Sequence, residues 1–285
     1  MLRVLATVFA GLAGLAFGSF LNVCLSRWPA GESVVAPRSH CRACGRTLAW
    51  WENIPVLSWL ALRGRCRTCH VAISWRYPLV ELAVGALWAS AAWRPFTVLP
   101  FLTTERALGM MAFYWILVAL AVLDAEHLWL PDLITLPAIV LGIGWRFGLI
   151  AVTHRALSFP PYDWNDAKDA GEYLLAILAA AGLILLIRWI YWLVRRREGI
   201  GLGDAKLMAL LAAWLGLPGA LLAFVLGVVL GALVALVLLA VPRRGSEPWA
   251  LAKLPLGTFL CIGGIVSALW GPAILDAYLR YSGLQ

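Results

Sequence analysis

The chain has 285 residues, 62% of them hydrophobic and 13% charged, with a mean hydropathy of +0.85. Soluble domains carry about 25% charged residues, so a soluble fold would lack the polar surface to cover itself, and the chain reads as an integral membrane protein. The net charge of +8 is not a nucleic-acid signature here, because arginines clustered beside apolar stretches report membrane topology first.

A spanning helix needs about 20 mostly apolar residues. Eight stretches come close: roughly 4–24, 78–94, 105–123, 132–151, 172–193, 204–217, 219–240 and 255–279. The expected fold class is therefore an all-α polytopic membrane protein of about eight transmembrane helices. The first stretch runs into Gly18-Ser19-Phe20-Leu21-Asn22 rather than a small-residue cleavage site, and is expected to stay as a span and not to be removed as a signal peptide. Cys24 and Cys261 lie in apolar runs and read as packing residues.

The second feature in chain order is the segment 25–77. It holds Cys41-x-x-Cys44 and Cys66-x-x-Cys69. Two such knuckles at this separation are a strong zinc signature, since four thiolates complete a closed tetrahedron and leave no open position for catalysis. Arg42, Arg46, Arg65 and Arg67 flank the cysteines and favour thiolate. His40 and His70 abut the knuckles. Either could replace a cysteine, although an exposed or supporting histidine is the plainer reading. Between the knuckles, Trp50 to Trp59 is too apolar for a plain loop. It is expected to pack on the module or lie at the lipid headgroups, where tryptophan is favoured.

With eight spans, the loops 25–77, 194–206 and 241–254 fall on one side, together with 124–131. They carry Arg195, Arg196, Arg197, Lys206, Arg243, Arg244 and Lys253 besides the arginines of the cysteine segment. The positive-inside rule makes that side cytoplasmic, where disulfides are rare. Loop 152–171, with Pro160-Pro161 and Asp163, Asp166 and Asp169, falls outside with both termini. Gly216-Leu217-Pro218-Gly219 is expected to turn the chain between the sixth and seventh stretches. The eight stretches do not pair into two similar halves, which weakens a transporter reading.

Two carboxylates stand at the ends of apolar runs on the cytoplasmic side. Asp124 follows Tyr114 to Leu123, and Asp204 lies in Gly201-Leu202-Gly203-Asp204-Ala205-Lys206 at the head of the sixth stretch. A carboxylate at a membrane boundary is costly and marks a partner or a function. If the two meet, like charges held close share one proton, which is the requirement for hydrolysis by an aspartate pair. Gly201 and Gly203 would let a backbone approach closely and permit positive φ. Asp204 also suits a helix N-cap. Lys206 either counters the pair's charge or reaches for headgroups. Asp132, after Pro131, competes with Asp124 for the first place or caps the fourth span. Glu126 is solvated or contacts a basic substrate segment, and His127 reads as an interfacial polar residue. Glu81 and Asn22 bond another helix or line a substrate groove.

In chain order the motifs are Gly18 to Val23, Pro37 to Cys44, Asn53 to Ser58, Arg63 to Cys69, Ile73 to Glu81, Asp124 through Pro131-Asp132, Gly201 to Lys206, and Leu254 to Leu260. Together they resemble the bacterial type IV prepilin peptidases, membrane aspartyl proteases of the GxGD type that also N-methylate their product. The resemblance covers nearly the whole chain. This sequence departs from the family in having Arg42 where proline usually follows the first knuckle cysteine. It also lacks the phenylalanine and proline often found near Leu256 and Thr258.

The resemblance implies Asp124 and Asp204 as catalytic, with Gly201, Gly203, Lys206, Asp132, Glu126 and Glu81 as substrate-binding or supporting residues. It divides the chain into a first transmembrane helix (1–24), a cytoplasmic tetra-cysteine zinc module associated with methylation (25–77) and a seven-helix peptidase domain (78–285). The implied substrates are prepilins and pseudopilins of a type IV pilus or type II secretion system, cut after a glycine behind a basic leader. The implied cofactors are structural Zn2+ and S-adenosyl-L-methionine, and the implied place is the bacterial inner membrane, with module and active site facing the cytoplasm. No Rossmann-type glycine motif is visible for the methyl donor, so methylation would use a different site, such as the basic module. The alternatives are a peptidase without the second activity, an ion-coupled transporter and a membrane-anchored zinc-ribbon adaptor.

Overall fold

The computed structural model describes residues 1–93, 100–156, 164–197, 201–240 and 254–283. Among these the chain is helical, with no strand longer than an isolated bridge. The helices are α1 (Leu2–Arg27), α2 (Leu57–Ala61), α3 (Arg76–Trp93), α4 (Pro100–His127), α5 (Asp132–Ala156), α6 (Trp164–Arg195), α7 (Leu202–Ala240) and α8 (Leu256–Tyr281). Five of them, α1, α4, α6, α7 and α8, are long and apolar enough to cross a membrane, so the chain is a multi-pass membrane protein.

The eight apolar stretches all fall on helices, but the helix ends differ. The expected loop 152–171 is largely helical, because α5 runs to Ala156 and α6 starts at Trp164. Hydropathy marks only the part of a helix that lipid must cover, whereas Asn165 to Ala170 is polar sequence that can continue it. The Pro160-Pro161 and Asp163 part of that loop, and Arg243, Arg244 and Lys253, lie outside the described residues. The sixth and seventh stretches form one 39-residue helix broken at Gly216, with φ 72° and ψ 173°. Glycine takes that left-handed φ without a Cβ clash, and Pro218 brings no N–H to the ladder.

The chain divides into two compact units, 1–119 and 120–285, with the boundary inside α4. In the first, α1 packs on α3. Their backbones approach so closely that a Cβ on Gly18 would lie 2.7 Å from the Glu81 Cα, and one on Gly14 2.9 Å from the Gly85 Cα. Small residues allow this contact between helices that gain little from expelling water.

The second unit is organised around the 204–214 arm of α7, in which nearly every residue is buried. Leu207, Met208, Leu210, Leu211 and Ala212 are wholly enclosed, as expected of a segment apolar on every face. α5, α6 and α8 pack on α7. Polar side chains meet backbone carbonyls around the break: Tyr173 Oη donates to the Ala213 carbonyl at 2.5 Å and Ser267 Oγ to that of Gly219 at 2.8 Å. A broken helix inside a membrane protein needs such partners for its freed carbonyls.

Candidate active site and metal centre

The first unit holds the cysteine cluster. Each knuckle is a tight turn closed by one bridge, His40 with Thr47 and Arg65 with Ala72. The two repeat the same bonds. Cys41 N–H donates to the Arg46 carbonyl and Gly45 N–H to that of Cys41, at 2.9 and 2.8 Å; Cys66 N–H donates to Val71 and His70 N–H to Cys66, at 2.9 and 3.0 Å. Gly45 and His70 occupy matching positions, both with left-handed φ, 70° and 55°.

The four Sγ atoms lie within 4.8 Å of one another, and those of Cys41 and Cys69 are 3.8 Å apart. Sulfurs about 2.3 Å from one tetrahedral zinc would sit about 3.8 Å apart, so the cluster fits that ion. All six cysteines are free. The backbone N–H groups of Cys69 and Thr68 lower the Cys66 thiol to about 6, and those of Cys44 and Ala43 lower Cys41 from its ordinary value. Thiolate is the ligand form. The histidines stay outside the cluster, and His40 Nδ1 lies 3.1 Å from the Arg38 carbonyl.

Beneath the first knuckle, Glu52 is almost fully enclosed. Arg46 grips it through both terminal nitrogens, at 2.7 and 3.0 Å, and Ala49 N–H donates to it at 2.8 Å. The Arg46 guanidinium holds this carboxyl below the usual range. Glu81 is also buried. It accepts the N–H of Val56 at 2.7 Å and a bond from the Ser19 hydroxyl. Val56 has φ 61°, an outlier for a β-branched residue, and its bond to Glu81 helps hold it there. Asn22 Nδ2 donates to the Tyr77 carbonyl at 2.9 Å. Glu81 and Asn22 thus each bond another helix, Glu81 through Ser19 of α1 and Asn22 through Tyr77 of α3.

The second unit brings Asp124 and Asp204 together. Both are buried, 6% and 8% exposed. The Asp124 charge acts on Asp204, and both act on the enclosed Cys261. Asp124 stands in the last turn of α4, where the helix dipole opposes an anion. The first turn of α8 offsets this: Thr258 N–H donates to Asp124 Oδ2 at 2.7 Å, and Thr258 Oγ1 lies 3.2 Å from the same oxygen. Asp204, third residue of α7, reaches back to accept the Gly201 N–H at 3.2 Å, as a capping carboxylate does.

The neighbouring glycines provide room. A Cβ on Gly257 would sit 2.9 Å from both Cγ and Oδ2 of Asp124, and one on Gly203 would meet the Leu130 Cβ at 3.1 Å. Neither Gly201 nor Gly203 has the positive φ expected; a Cβ would be crowded at Gly203 alone, since at Gly201 it would meet only an ordinary contact, 3.5 Å from Asp204 Oδ2. The turn carrying Leu130 is set by Leu128, whose φ of 51° ends α4 with its N–H on the Asp124 carbonyl.

The other expected residues divide. Lys206 neither counters the pair nor reaches outward alone. Its Nζ donates to Asp132 Oδ1 at 2.5 Å, an ion pair that is partly exposed. Asp132 is the first residue of α5, one place past the cap, which is Pro131, and its carboxylate takes Lys206. Glu126 is exposed, with Oε2 3.9 Å from His127 Nε2. Thr258, Gly257 and Leu130 were not singled out from sequence. Thr258 and Gly257 lie in the uncharged Leu254–Leu260 block and Leu130 in the Asp124–Asp132 block, and neither block marks them individually.

Comparisons with known proteins identify the family of the chain. The model of the bacterial peptidase A24 N-terminal domain matches residues 12–95, and that of the type IV leader peptidase family matches 111–236. The prepilin leader peptidase/N-methyltransferase of Stutzerimonas stutzeri is 35% identical, over 98% of this chain and 96% of its own. That of Pseudomonas aeruginosa is 35% identical over 99% and 95%. An Escherichia coli protein named as a type 4 prepilin-like proteins leader peptide-processing enzyme is 36% identical over 91% and 92%. No solved structure matches the chain. Matched along nearly its whole length by these relatives, and in both of its parts by the family models, the chain belongs to the type IV leader peptidase family.

Proposed function

We propose that this protein is a membrane aspartyl endopeptidase. It removes the basic leader from type IV prepilins and pseudopilins at the cytoplasmic face of the bacterial inner membrane, and N-methylates the new N-terminal residue. The observation that carries the peptidase reading is the pair of buried carboxyls: Asp124 is tethered to the Thr258 N–H in the first turn of α8, and Asp204 to the Gly201 N–H just before α7. Held within Coulombic range, the two share one proton. The ionised member takes a proton from water as the water attacks the scissile carbonyl. The protonated member donates its proton to the carbonyl oxygen; the member that took the water's proton then gives it to the leaving amine, while the other takes a proton back from the gem-diol. A basic leader followed by an apolar helix would place its junction at this boundary, with the leader among the cytoplasmic arginines.

Cys41, Cys44, Cys66 and Cys69 would hold zinc, which serves as a structural tie. For the methyl donor, S-adenosylmethionine, the described residues offer no built seat. Glu52 and Glu81, the buried carboxylates of the first unit, are engaged by Arg46 and by Val56, so neither is free to meet a sulfonium. Methylation is proposed from kinship with N-methyltransferases, and no step is drawn through the donor.

The test is incubation of purified protein with a prepilin and S-adenosylmethionine, reading product masses. Wild type should yield a shortened pilin one methyl group heavier than simple cleavage gives. Asp124→Asn and Asp204→Asn should each cut at least about a thousandfold more slowly while melting like wild type. Full cleavage by either variant would refute the dyad.

A further inference from the structure

Thr258 is the residue through which α8 meets Asp124, and its two polar groups do different work. Its N–H points to Asp124 Oδ2 at 2.7 Å. As the third residue of α8, it has no carbonyl four residues back within the helix to bond, so the N–H is available to the carboxyl. Its hydroxyl sits between two oxygens, 2.9 Å from the Ala121 carbonyl and 3.2 Å from Asp124 Oδ2.

A hydroxyl has one proton and two lone pairs. Turned to Ala121, it presents a lone pair to Asp124 and can accept from a protonated carboxyl. Turned to Asp124, it donates to an ionised one. A rotation about one bond therefore matches the partner to either protonation state. Ala121 and Asp124 are one turn apart on α4, so both contacts also fix the side chain against its own helix. Gly257, the preceding residue, leaves room for the carboxyl and for nothing larger.

We propose that Thr258 is the positioning residue of the aspartate pair, aiming the Asp124 carboxyl through its N–H and following that carboxyl's changes of protonation through its hydroxyl. This rests on the dyad reading above and deepens it. It assigns to an uncharged side chain a part in turnover rather than in substrate binding.

The experiment is steady-state kinetics of prepilin cleavage for Thr258→Val and Thr258→Ser, beside Asp124→Asn. Valine keeps shape and N–H and removes the hydroxyl. It should lower kcat about tenfold, as expected for a lost hydrogen bond to a charged group, with KM within about twofold. Serine, which retains both groups, should restore kcat. Melting temperatures report folding, and if valine lowers stability, Thr258→Ala serves in its place. A hydroxyl-free variant with wild-type kcat, or one that changes KM alone, overturns the proposal while an inactive Asp124→Asn leaves the dyad standing. A fully active Asp124→Asn removes the dyad itself.

Discussion

The cysteine cluster and the aspartate pair are built in opposite ways. The cluster draws its four ligands from residues 41–69, on two turns with the same internal hydrogen bonds. The pair draws on the end of one helix and the beginnings of two others, and its central contact joins residues 134 positions apart. A site made from local turns is specified by spacing, and each ligand is placed by its own knuckle. A site made from helix termini is specified by packing, so the glycines and the uncharged threonine around it matter as much as the carboxylates.

The largest effect should follow from removing a knuckle ligand. Structural zinc contributes on the order of 10 kcal/mol to small tetra-ligand modules, far more than any single contact in the second unit. Cys66→Ser should take the zinc content from about one per chain to near zero in reducing buffer. Hydrogen-exchange protection should fall across residues 39–73 and remain across 204–214. Elemental analysis finding no metal in wild-type protein would break the comparison from this side.

A smaller effect is expected where packing sets the site. Gly257→Ala puts a methyl group 2.9 Å from the Asp124 carboxyl carbon, with Leu130 Cδ1 3.0 Å away on another side. The flexible partner is the aspartate, so the carboxyl should yield. A displacement of that kind costs about a hundredfold in turnover, with zinc content unchanged. Wild-type kcat for this variant would mean that Asp124 tolerates misplacement and that the pair is less dependent on packing than its geometry implies.

The same contrast explains what could be read from sequence. The apolar stretches located the helices, and Gly216-Leu217-Pro218-Gly219 located the break, because both signals are local. The Cys-x-x-Cys pairs located the cysteine cluster for the same reason. Asp124 and Asp204 stood out as charges at the ends of apolar runs. What surrounds them did not stand out, since nothing in Leu254 to Leu260 indicates that its third helical residue will face a carboxylate 134 positions earlier. Lys206 was read against the aspartate pair because they share a motif, whereas its partner Asp132 lies 74 residues away. Helix ends shifted where polar residues continued a helix beyond its apolar part, as in α6.

The smallest effect tests whether the two knuckles are as interchangeable as their hydrogen bonds suggest. Gly45 and His70 each follow the second cysteine of a knuckle, and both have left-handed φ. Glycine meets that geometry without penalty, whereas a residue with a Cβ is strained by roughly 1 kcal/mol. The histidine ring adds no ligand to the cluster. His70→Gly should therefore keep one zinc per chain and stabilise the folded module by up to about 1 kcal/mol, less the entropy glycine adds to the unfolded chain. The readout is the zinc-release midpoint under a competing chelator, which should hold or rise slightly. A clear fall would give the imidazole a stabilising contact of its own, and the second knuckle would then be more than a copy of the first.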